Sequence, residues 1–143
     1  MAIKQISIFV ENKEGKLVTI TDAIANVGID IRALSVADTQ DFGIFRLIVT
    51  DPEGAKKALE YSGCFVSITQ VVGVSIPDEP GSLAKIVRIL ARYNINIEYM
   101  YAFITVSGKE ASVVLRVADN EAAEKILVEN GVKLLEESDI VKF

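Results

Sequence analysis

The chain superposes on itself. An offset of 66 residues sets Gly15 on Gly81, Leu17 on Leu83, Ile20 on Ile86, Ala25 on Ala91, Ile29 on Ile95 and Ile31 on Ile97. Past residue 40 the offset becomes 68, and Asp51 meets Asp119, Ala55 meets Ala123, Lys57 meets Lys125, Leu59 meets Leu127 and Gly63 meets Gly131. A two-residue change of length inside a hairpin turn accounts for the step, because turns absorb insertions and strands do not. Self-similarity at a fixed period means a duplicated supersecondary unit. The 143 residues therefore divide into residues 1–69 and 70–143.

Both copies read in the same order. Ile6, Ile8 and Val10 alternate with Ser7 and Phe9, as Val72, Val74 and Ile76 do later, and a period of two predicts a strand. A polar turn ending in Gly follows. Leu17, Ile20 and Ile24, and then Leu83, Ile86, Val87 and Leu90, recur at three and four and predict a helix with one apolar stripe. Gly28 and Asn94 tolerate the left-handed conformation that ends such a helix. A hairpin comes next, with turns near Asp41-Phe42-Gly43 and Ser107-Gly108. Asp51-Pro52-Glu53 and Asp119-Asn120-Glu121 carry a cap and an early carboxylate, so each opens a second helix. Gly63 and Gly131 end these helices before a last strand. The order βαββαβ, twice, predicts an α+β fold: two ferredoxin-like repeats, antiparallel sheets side by side, helices on one face. A unit of ~70 residues buries modest surface alone. No flexible linker separates Cys64 from Pro77, so the two sheets are expected to form one body.

Composition removes whole classes of function. Half the residues are apolar and 24% are charged, enough for a packed core. The formal charge of −5 splits into −2 over residues 1–70 and −3 over 71–143, with no basic stripe for nucleic acid. The third strands, Gly43–Val49 and Ala111–Val117, read as core rather than as an RNA-stacking platform. The chain has no histidine, the commonest general base and metal ligand, so catalysis is not expected and no cofactor or metal is called for. A lone Cys64 cannot form an internal disulfide and reads as a small hydrophobe in a reducing compartment. Met1 to Ile6 runs into a strand pattern rather than a signal peptide, and no run of ~18 apolar residues occurs. No membrane is expected as a partner, and the expected location is the cytoplasm.

The turns that open the first helix of each repeat carry the most chemistry. They read Glu11-Asn12-Lys13-Glu14-Gly15-Lys16-Leu17 and Pro77-Asp78-Glu79-Pro80-Gly81-Ser82-Leu83. Without a Cβ, Gly15 and Gly81 let another group approach the main chain. Free N–H groups at the helix start would stabilise a carboxylate through hydrogen bonds and dipole. Asn12 or Asp78 could accept from an ammonium group, and an α-amino acid presents both groups on one carbon. The same residues also read as plain helix caps.

Asp78-Glu79-Pro80-Gly81-Ser82-Leu83 followed by Asn94-Ile95-Asn96-Ile97 resembles the signature of the ACT domain family. Glu11 to Leu17 with Gly28-Ile29-Asp30-Ile31 is a second match, so the resemblance spans nearly the whole chain in tandem. It implies βαββαβ modules that bind an amino acid where two modules meet. Carried over, Asn12, Gly15 and Leu17 would face Asn96, while Asp78, Gly81, Ser82 and Leu83 would face Asp30. Family members often place a histidine two residues before the Asn or Asp; Val10 and Ile76 stand there, which favours an apolar or aromatic ligand side chain over serine. Glu14 replaces the usual proline that Pro80 keeps, so the two sites are chemically unequal. The run Ile97 to Phe103 reads either as an aromatic lining or as core and interface packing.

The resemblance implies a non-catalytic allosteric sensor, a homodimer acting on a separate metabolic enzyme. Two alternatives stand beside it. Repeat one is similar to the small subunit of acetolactate synthase, although that family has one such module and a different second domain. The other alternative is a purely structural dimerisation module.

Overall fold

The structure, a computed structural model, describes residues 2–11, 14–38, 42–104 and 110–142. Asn12 lies outside them, as do Asp41, Ser107 and Gly108. The chain resolves into two compact units: Lys4–Thr69, the N-terminal unit, and Met1–Ile3 with Gln70–Phe143, the C-terminal unit.

The N-terminal unit holds β1 (Ile3–Glu11, from Lys4), α1 (Lys16–Asn26), β2 (Ile31–Asp38), β3 (Phe42–Val49), α2 (Pro52–Tyr61) and the first part of β4 (Phe65–Pro77). The C-terminal unit takes the rest of β4, then α3 (Ser82–Arg92), β5 (Tyr99–Ala102), β6 (Glu110–Arg116), α4 (Asn120–Glu129), β7 (Lys133–Leu134) and α5 (Glu137–Lys142). Strand order in the first is β2-β3-β1-β4, and in the second β5-β6-β4-β7, the same order under the repeat. The ladders share register too: Ile6 opposes Leu47 and Glu11 opposes Phe42, as Val72 opposes Leu115 and Pro77 opposes Glu110. The expected α+β architecture, two ferredoxin-like repeats with antiparallel strands, is what the chain adopts.

Each unit has its own core, built from the alternation and periodicity that the sequence shows. Ile6, Ile8 and Val10 of β1 pack with Ile20 and Ile24 of α1, Leu47 of β3, and Ala55 and Leu59 of α2. In the second unit Val72, Val74 and Ile76 pack with Ile86, Ile89 and Leu90 of α3, and with Ala123 and Leu127 of α4. Each such aliphatic side chain, fully buried, contributes roughly 1.5–3 kcal/mol. The inward stripe of α3 is centred on Ile86, Ile89 and Leu90. Leu83 and Val87, expected in it, stay exposed because they lie one step round the helix from that face.

The second helix of each unit starts as its sequence requires. Asp51 accepts from the Gly54 N–H and Asp119 from the Ala122 N–H, both at 3.1 Å, with Pro52 in the first turn of α2. One element and one contact go beyond the expected order. The C-terminal α5 follows β7, with Leu135 and Ile140 buried. Gly73 in β4 lies beneath Leu135 and Ile3, which is why Ile3 belongs to this unit; a methyl group there would run into Ile3 Cδ1 and come within 3.1 Å of Leu135 Cβ.

Two substitutions separate these contributions. Asp119→Ala removes one cap and costs about 1 kcal/mol in denaturant unfolding. Gly73→Val forces Ile3 and Leu135 aside and costs more, about 1–3 kcal/mol as overpacking. A Gly73→Val chain as stable as the parent would mean that this contact yields freely.

Candidate functional site

The C-terminal unit has a cavity of about 590 Å³ where β4 ends and α3 begins. Gly81 is the residue before α3, with φ +90° and ψ −12°, a left-handed conformation that reverses the chain between strand and helix. Among the described residues no side chain caps α3. The plain capping role for Asp78 is therefore not what the structure shows. The Ser82 N–H makes only a long bond to the Glu79 C=O, at 3.3 Å, and a Cβ built on Gly81 meets open space. The helix opening is thus accessible to an anion.

Gly81 and Ser82 line the cavity, and five charged residues share its wall with apolar ones such as Ile76, Ile86 and Val132. Lys85 and Arg88 come from the following turns of α3, Glu79 from the loop, Glu110 from the start of β6 and Lys133 from β7. Ser75, almost fully buried at 8% exposure, donates from Oγ to Glu110 Oε2 at 2.7 Å and so fixes that carboxylate. Ser75 is flanked in register by Lys133 on β7 and by Ser112 on β6, and such cross-strand neighbours share a face. The Glu110 carboxylate is thus held at this serine, with Lys133 opposite it on the neighbouring strand.

The N-terminal unit repeats the cavity in the equivalent place, at about 250 Å³. Val10, Lys16, Ile20 and Gly63 line it where Ile76, Ser82, Ile86 and Gly131 line the other. Gly15 stands before α1 with φ +81° and no capping side chain among the described residues. The chemistry is different: Phe9 occupies the place of Ser75, Thr19 that of Lys85, and Phe65 that of Lys133, while Cys64 closes the wall.

Of the site residues expected from sequence, Gly81 and Ser82 meet in one cavity. Asp78 and Leu83 flank it on the same turn, exposed, and are not in its wall. Gly15 and Leu17 sit at the opening of α1, with Leu17 38% exposed. Asp30 and Asn96 lie at the other end of their units. Tyr99, just after Asn96, opposes Arg116, six β6 residues from Glu110, which opposes Pro77; that is ~20 Å of strand. Asp30 is similarly removed from Gly15. A β-bulge between Ile31 and Ala33 leaves Arg32 as the extra residue, and its Nη1 bonds Asp30 Oδ2 at 2.6 Å, so this carboxylate already has a cation. The aromatic run divides: Met100 packs on the core and Phe103 is buried, while the Tyr99 and Tyr101 rings stack 6.4 Å apart, away from the cavity wall. Lys85, Arg88, Glu110 and Lys133 are not part of the motif: Lys85 and Arg88 follow it on α3, and strand pairing rather than spacing brings Glu110 and Lys133 to them.

Residues 1–143 match the family described as ACT domain pair. No curated protein matches the chain. Among solved structures, protein BT0572 from Bacteroides thetaiotaomicron is 43% identical, with 100% of this chain and 98% of that chain covered and a TM-score of 0.92. The ligand-free regulatory subunit of aspartate kinase from Thermus thermophilus shares the fold at 20% identity, with 92% of this chain and 94% of that chain covered and a TM-score of 0.65. Its counterpart from Thermus flavus gives 20%, 90%, 92% and 0.58 in the same order.

Proposed function

The chain belongs to the ACT domain pair family, and on that premise we propose that it is a non-catalytic regulatory protein whose C-terminal unit binds a free amino acid. The observation that carries this reading is the cavity at Gly81 and Ser82, where an uncapped helix opening and groups of both signs share one wall. A zwitterion needs that combination: backbone N–H groups and a lysine for its carboxylate, a fixed carboxylate for its ammonium. The volume suits a small molecule, within the roughly 300–1,000 Å³ of ordinary ligand sites.

Regulation follows from the fold's company. The regulatory subunit of aspartate kinase from Thermus thermophilus has the same fold, and by analogy this chain would act on a separate enzyme of amino-acid metabolism. A homodimer belongs to the reading. Asp30 and Asn96 are too far from the helix openings of their own units to touch a ligand there, so in this reading they contribute only from a neighbouring module, which a second copy of the chain would supply. Among the described residues no helix is long and apolar enough to cross a membrane, in keeping with a cytoplasmic role.

The test is thermal stability of the full chain against a panel of free amino acids, since a ligand bound only by the folded state raises Tm. One member should raise it, and Gly81→Asp should abolish the rise by placing a carboxylate where the ligand's own would lie. The expected loss in affinity is about 2–3 kcal/mol. The Gly81 Cβ position is open, so the variant folds despite the left-handed backbone, at a cost of about 1–2 kcal/mol. No shift with any amino acid would favour the alternative of a purely structural dimerisation module.

A further inference from the structure

The duplication supplies an internal control on the cavity wall. Both units build the same strands, register and helix opening, yet their walls are charged differently: Glu79, Lys85, Arg88, Glu110 and Lys133 in the C-terminal unit, Glu11 and Lys16 in the N-terminal one. Ser75, Lys85 and Lys133 correspond to Phe9, Thr19 and Phe65, while Arg88 and Glu110 correspond to Asp22 and Phe42. The fold is therefore complete without those particular charges. Exposed charges need no ligand by themselves; what a ligand would use is the convergence of the five charged residues on one cavity at an open helix start.

Resting on the reading just proposed, we infer that the amino acid bound at Gly81 has an acidic side chain. Three cations, Lys85, Arg88 and Lys133, face two carboxylates, Glu79 and Glu110, which leaves the wall with one net positive charge. An amino acid with a neutral side chain is itself neutral and leaves that charge uncompensated. One with a carboxylate side chain carries a net negative charge and balances it, whereas a basic one adds to the excess. The places are distinct. The α-carboxylate takes the N–H groups at the start of α3 together with Lys85. The α-ammonium takes Glu110, whose orientation the buried Ser75 holds at 2.7 Å. Lys133, beside Ser75 in register, and Arg88, one turn beyond Lys85, are left for the side-chain carboxylate. No aromatic ring lines this cavity among the described residues, which argues against the apolar or aromatic ligand that Val10 and Ile76 suggest.

Isothermal titration of the full chain with L-aspartate, L-glutamate and their amides tests this, with L-leucine, L-phenylalanine and L-lysine as further ligands. Aspartate or glutamate should bind at least tenfold more tightly than its own amide. Lys133→Met should bring that ratio close to one without unfolding the protein, since Phe65 shows that an apolar residue fits the equivalent strand position. Equal affinity for acid and amide, or tightest binding of a neutral or basic amino acid, overturns the acidic assignment and leaves amino-acid binding intact. A Lys133→Met variant that keeps the parent's preference overturns the role given to Lys133. Absence of heat with every ligand, from a chain that still unfolds cooperatively, overturns both readings.

Discussion

Two backbone reversals govern everything at the cavity-bearing end of these units. Gly15 and Gly81 take positive φ, at 81° and 90°, just before α1 and α3. That conformation lets a strand end and a helix begin without a side-chain cap, and it turns the helix back over the sheet. An L-residue there would carry strain, and an Asp or Ser at the same place would satisfy the first N–H groups itself. The second helices make the contrast plain: α2 and α4 open on Asp51 and Asp119, which spend their carboxylates on their own helix. One helix type in each unit is closed by its sequence and the other is left open.

On that shared frame the two repeats diverge in wall chemistry while keeping their cores. Ile20 and Ile86, Ala55 and Ala123, and Leu59 and Leu127 remain buried equivalents, because changing volume in a close-packed core is costly. At the cavity, where the fold asks for little, Ser75 is the equivalent of Phe9 under the repeat and Lys133 that of Phe65. The smaller cavity is the one with the larger side chains in its wall.

The architecture was legible because its signals are local. Alternation in β1, the three-and-four spacing of α1 and α3, and Asp-Pro or Asp-Asn at the later helix starts all act over a few residues. The turn at Gly81 was legible for the same reason. The cavity wall was not: Ser75 and Glu110 are 35 residues apart, and Lys133 is further still, so only the pairing of β4 with β6 and β7 assembles them. A signal did exist. Laying the copies over one another at the observed offsets marks the positions where one repeat is polar and the other apolar. The partner of Asp30 was hidden differently, since Arg32 owes its position to a bulge that periodicity does not announce.

Ile3 sits in the first strand of the chain yet packs over Gly73, within the unit that the rest of that strand does not belong to. The duplicated halves are consequently not separable at the seam between residues 69 and 70. A fragment starting at Gln70 would keep all its helices and still expose a notch of bare backbone at Gly73, where an isoleucine from the other terminus had sat. The C-terminal unit is thus completed by residues that precede the whole N-terminal unit in the chain.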